Sequence, residues 1–106
     1  MIRRSWISIC WVLAWAPLTA LAEGHPHIAA ELLPASLQYS WQQNKPDLGQ
    51  FGRCAAAFDS KSDPSKMVFS CAVYVKLSSV AQRNAIKHCE EKKLERGIKA
   101  PCQLVD

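Results

Sequence analysis

In the closing stretch IKHCEEKKLERGIKAPCQLVD, Cys89 directly follows His88, and Cys102 comes shortly after. A thiol beside an imidazole can be a nucleophile with its base, part of a metal site, or one end of a covalent cross-link. Neighbours in sequence on a helix point about 100° apart, so the side chains of His88 and Cys89 diverge. The cysteines beyond the N-terminal segment are Cys54, Cys71, Cys89 and Cys102. No two of them have the C-x₂₋₄-C spacing of a structural zinc site. An even set in a short exported chain reads as two disulfides.

A second chemistry depends on export. The chain opens MIRRSWISICWVLAWAPLTALAEGHPH. Arg3 and Arg4 are followed by an apolar run, then by small residues at Ala20 and Ala22. That is the three-part pattern of a secretory signal, with cleavage expected after Ala22. The run is short for a membrane span, which takes roughly 20 residues, and Pro17 interrupts it. Residues 1–22 are therefore expected to leave as a signal peptide, taking Cys10 with them and placing the protein in the periplasm or outside the cell. No membrane span is expected afterwards.

The new N-terminus would be Glu23-Gly24-His25. A free amine, two backbone nitrogens and the His25 imidazole can hold Cu(II) or Ni(II) in a square plane. Pro26 falls just past the site, and His27 is available as an outer ligand. Such tails are more often simply mobile chain, so this metal site is the secondary expectation. No other cofactor is expected.

Loss of Arg3 and Arg4, with no acid in residues 1–22, lowers the formal charge from +4 to +2. Nucleic-acid binding needs a concentrated basic face, and none is read here. Residues 23–106 suit one small domain near the size where a core alone is marginal.

Several elements must position these residues. RCAAAFD and KMVFSCAVYVK are apolar runs joined by the turn-forming SKSDPS, a hairpin pattern. If Phe58 faces Met67, then Ala56 faces Phe69 and Cys54 faces Cys71. Cross-strand partners share a sheet face, so this register predicts a Cys54–Cys71 bridge. It also predicts a core-facing row of Met67, Phe69, Val73 and Val75. Four cysteines allow three pairings, and this one leaves Cys89 with Cys102.

Ser79, with Gln82 three residues later, reads as a capping box opening a helix. Ala81, Ala85, Ile86 and Cys89 form its buried stripe, Leu94 lies off that stripe, and Gly97 is the stop. PCQLVD returns as a strand. SLQYSWQQ alternates Leu37, Tyr39 and Trp41 with polar residues, the pattern of a half-buried strand, and KPDLG follows as a turn. Residues 23–34 are expected as a tail or a short helix, and residues 35–106 as the domain. The fold class is α+β: a small antiparallel sheet of three to four strands packed on one main helix and stapled by two disulfides.

The stretch RCAAAFD…MVFSCAVYV…SSVAQRNAIKHC…APCQLV resembles a bacterial family of small secreted disulfide-containing domains of unknown function. The match covers about residues 53–106 and rests on Ser79, Ala81, Ala85, Cys89, Cys102 and the Leu104-Val105 pair. The glycine-aromatic hairpin of that family is missing, and the insertion before Cys102 is longer. The resemblance implies a fold and export, and no activity.

An enzyme is poorly supported, because no phosphate loop or nucleophile motif is present. Asp59, Asp63, Glu90 and Glu91 read as turn or solvent-facing acids. The leading expectation is a binding or inhibitory module for an unidentified protein partner in the envelope or outside the cell. The alternatives are a periplasmic Cu(II)/Ni(II)-binding protein acting through the new N-terminus and, after it, a small envelope hydrolase. Tyr39, Trp41 and Tyr74 are the candidate anchors, because aromatics concentrate at interface hot spots.

Overall fold

The structure is a computed structural model that describes residues 24–106. The expected signal sequence, its expected cleavage site and Glu23 lie outside the described residues. The chain forms β1 (His27–Ile28), α1 (Ala35–Leu48), β2 (Arg53–Phe58), β3 (Met67–Ala72), α2 (Ser78–Arg96) and β4 (Gln103–Val105). Two 3-10 turns, Ala30–Leu32 and Pro64–Lys66, lie between them.

The strands make one mixed sheet in the order β1-β4-β2-β3. β2 pairs antiparallel with β3 and with β4, while β1 pairs parallel to β4. The fold is α+β, as the pattern of elements implied. Phe58 faces Met67, Ala56 faces Phe69, and Cys54 faces Cys71, the register read from the sequence. The disulfides are Cys54–Cys71 and Cys89–Cys102.

Side chains alternate across a strand, and here both faces are covered. Ala55, Ala57, Val68 and Leu104 meet Ala85 and Cys89 of α2, with Ile98 and Cys102. Small side chains on both partners let the helix lie close to the sheet. On the other face Cys54, Ala56, Met67 and Val105 meet Leu33 and Leu37, with Trp41 and Leu48 packed against them.

That second layer corrects the sequence reading in two places. SLQYSWQQ is not a strand but the body of α1, and KPDLG is not a turn but runs from inside α1 to its end, with Pro46 in the helix. Leu37, Trp41 and Leu48 recur at i, i+4 and i+11, which puts them on one side of a helix. The apparent two-residue alternation came from Tyr39, which turns outward and is 67% exposed. The sheet therefore carries a helix on each face rather than one main helix. Its fourth strand is β1, drawn from the segment expected as a tail or short helix, which also supplies the turn Ala30–Leu32. Gln38 fastens that segment to α1, its Nε2 donating to the carbonyls of Glu31 and Leu33 at 3.0 and 2.9 Å.

Of the expected stripe on α2, Ala81, Ala85 and Cys89 are buried and Ile86 is only partly buried against the core. The N-cap of the helix is Leu77, two residues before the expected Ser79, and no side chain caps it, so the Ser79–Gln82 capping box does not form. Gly97 ends it in the left-handed conformation at φ 67°, as a C-terminal glycine should. β3 stops at Ala72, so Val73 and Val75 do not continue its core-facing row.

Candidate functional site

Among the described residues the cysteines offer no reactive thiol, because all four are in disulfides. His88 is exposed, beside a buried Cys89 that points into the core. Gly24 and His25 are both exposed, and Glu23 lies outside the described residues. His27 is held elsewhere, its Nδ1 lying 3.0 and 3.1 Å from the two carboxylate oxygens of Asp106. No group of three metal-ligating side chains occurs among the described residues. The His27–Asp106 pair resembles a base with its orienting carboxylate, but no hydroxyl hydrogen-bonds to that imidazole among the described residues.

The three aromatic candidates are not brought onto one surface. Tyr39 and Trp41 are two residues apart on α1 and diverge. Trp41 packs on the core cluster under α1. Its other side faces a cleft of about 410 Å³ that is also lined by Lys45, Arg53 and Asp106. Tyr74 is 81% exposed and sits in the link beyond β3 with φ 58°. A non-glycine residue at positive φ costs free energy that its surroundings must supply.

Sequence reasoning missed the most organised surface, the β3 edge of the sheet, which is unpaired among the described residues. β3 is an outermost strand. In an antiparallel pair, backbone groups alternate between facing the partner and facing away. Asp59 N–H donates to the Lys66 carbonyl at 2.9 Å. That bond sets the alternation, so Met67, Phe69 and Cys71 turn their N–H and C=O groups outward. Both helices overhang this edge. Ser36, Ser40 and Asn44 of α1 line one wall. His88, Lys92 and Arg96 of α2 line the other. Each set has the spacing i, i+4, i+8, so each is a single row along its helix. The larger of the two adjoining hollows is about 550 Å³.

The α1 wall is tied down from within. Ser36 Oγ reaches Met67 Sδ at 3.1 Å, Ser40 Oγ donates to the Ser36 carbonyl at 3.3 Å, and Asn44 Nδ2 donates to the Ser40 carbonyl at 2.8 Å. The α2 wall reaches onto the strand itself. Arg96 donates to the Met67 carbonyl, and Lys92 Nζ lies 3.4 Å from the Phe69 carbonyl. Cations laid over an open edge keep it from pairing at random. The α1 row was hidden, because that segment reads as a strand.

Two acids have perturbed titration, and both are structural. Asp59 accepts the backbone N–H groups of Lys99 and Ala100 at 2.8 Å each. The Lys99 bond is the main cause that holds its pKa below the usual carboxylate value. Asp63 is lowered by the Ser65 hydroxyl and then by the Ser65 N–H, in the turn between β2 and β3.

Compared with protein-family models, with curated proteins and with solved structures, the chain matches none. The resemblance to a secreted family thus rests on its own residues alone. Among the described residues no helix is long and apolar enough to cross a membrane.

Proposed function

We propose that this protein is an exported, disulfide-stapled binding module that engages a protein partner in the bacterial envelope or outside the cell. The observation that carries this reading is the free β3 edge, set in a trough between two helices whose side chains form ordered rows. Exposed sheet edges bind extended chains by strand addition. A stapled scaffold loses little conformational entropy on binding. Two disulfides suit an oxidising compartment. The hydrolase alternative has less support, since among the described residues no thiol is free and no nucleophile is hydrogen-bonded to the His27–Asp106 pair.

Photo-cross-linking tests the proposal. A photoreactive side chain at His88, inside the trough, should give a defined protein adduct when the oxidised protein is mixed with envelope extract. The same group at Lys61, in the turn between β2 and β3, should not. Equal labelling from both positions would remove the basis for the proposal. Turnover of an envelope polymer without any adduct would favour the hydrolase.

A further inference from the structure

We infer that the β3 trough takes an extended peptide segment carrying two carboxylates at alternate positions, held by Lys92 and Arg96. This inference rests on the binding-module reading and specifies its ligand.

Lys92 and Arg96 are the two side chains of α2 that touch the strand edge, at Phe69 and Met67. Neither has a carboxylate partner among the described residues; the ion pair on this helix is Lys93–Glu90. A segment adding to β3 needs the carbonyls of Met67 and Phe69 for its own N–H groups, so it must displace both cations. The displaced cations then need acceptors, and carboxylates on the incoming segment supply them. The distances agree. Four residues of helix advance about 6 Å, and two residues of strand advance about 6.6 Å. The Lys92–Arg96 spacing therefore matches side chains at i and i+2 of an extended peptide. Such side chains share a face, and here that face is the α2 side.

The residues between them would face Ser36, Ser40 and Asn44, a wall that suits small polar or β-branched side chains. Glu91 and Glu95 also border the trough, but no hydrogen bond joins either to the strand among the described residues. A basic segment would therefore meet charge only at the rim and would leave the edge carbonyls capped.

A second copy of this chain fits less well. Antiparallel pairing of two β3 edges has its two-fold axis perpendicular to the sheet, so both copies of α2 come to the same side. Their Lys92 and Arg96 side chains would then face each other, cation toward cation.

The test uses the oxidised chain and three blocked peptides: acetyl-Thr-Glu-Thr-Glu-Thr-Val-amide, its isomer with adjacent glutamates, and its analogue with Lys for both Glu. The alternating peptide should shift and protect the Phe69 and Cys71 amides in NMR spectra, and added salt should weaken it. Its isomer can turn only one glutamate to the α2 side and should bind about threefold more weakly, as loss of one partly exposed charge pair implies. The double variant Lys92→Glu/Arg96→Glu should reverse the preference toward the lysine peptide, which separates a lost contact from a lost fold. Equal binding of all three peptides at the Phe69 and Cys71 amides would overturn the carboxylate rule and leave the binding-module reading standing. Dimerisation through the same amides without peptide would overturn the peptide ligand in favour of a second copy. No amide response to any peptide, together with no adduct from His88, would sink both.

Discussion

Gly52 is where α1 hands the chain to β2, and the two backbones nearly touch there. Its N–H donates to the Leu48 carbonyl at 2.8 Å. A Cβ at this position would lie 2.5 Å from the Leu48 carbonyl oxygen and 2.8 Å from the Leu48 Cα. Backbone cannot yield as a side chain can, so Gly52→Ala should cost about 1–3 kcal/mol by chemical denaturation. An unchanged denaturation midpoint would show that this close approach is absent. Asp59 works at the same scale with charge. Its pKa is lowered from 3.8 in the folded state. A carboxylate with a lowered folded-state value contributes stability that is fully present above 3.8 and is lost as the pH falls through the lowered value. Asp59→Asn should therefore be less stable at neutral pH and should lose less stability in acid. Parallel acid limbs for the two proteins would refute that role.

At the scale of elements, α1 makes a demand that separates a helix from a strand. In a strand, Leu37 and Tyr39 would share a face and cost alike when truncated. In α1, Leu37 is buried and Tyr39 is exposed. Leu37→Ala should cost about 2–5 kcal/mol, whereas Tyr39→Ala should stay within about 0.5 kcal/mol. Equal losses in thermal unfolding would restore the strand. α2 has its own contrast. Ala85 is fully buried against the sheet, so Ala85→Asp buries an unpaired charge and should prevent folding. Lys92 is exposed and meets the strand only through one long contact. Lys92→Asp should be nearly silent in stability, so any effect it has on binding would be read cleanly. Comparable melting of these two variants would place the buried face of α2 elsewhere.

For the whole molecule, each staple ties a different layer. Cys54–Cys71 joins neighbouring strands on the α1 side of the sheet, and Cys89–Cys102 joins α2 to the segment entering β4. The sequence separations are 17 and 13 residues, loops worth about 3 kcal/mol each on the chain-entropy account. Non-reducing peptide mapping should recover these two links and no crossed one. Replacing Cys89 and Cys102 together with serine should lower stability by about that amount. It should loosen α2 and the cation row over the β3 edge before it opens the hairpin. Hydrogen exchange faster in the hairpin than in α2 would contradict this division of labour.

Local chemistry made part of this legible from the sequence. The turn-rich SKSDPS between two apolar runs fixed the hairpin register, and with it the Cys54–Cys71 partnership. The Ala81, Ala85 and Cys89 repeat and Gly97 marked the face and end of α2. Each of these signals acts between residues close in the chain. α1 was not legible, because Leu37, Tyr39 and Trp41 satisfy a period of two and Leu37, Trp41 and Leu48 satisfy a helical one. Burial against Cys54, Ala56, Met67 and Val105 decides between them, and that contact exists only once the sheet has formed. β1 was hidden for the same reason, since two residues carry no periodicity and their partner β4 lies at the far end of the chain. The trough over β3 depends on all of it. Ser36, Ser40 and Asn44 face His88, Lys92 and Arg96 only because two helices, distant in sequence, pack on opposite faces of one sheet and overhang the same edge.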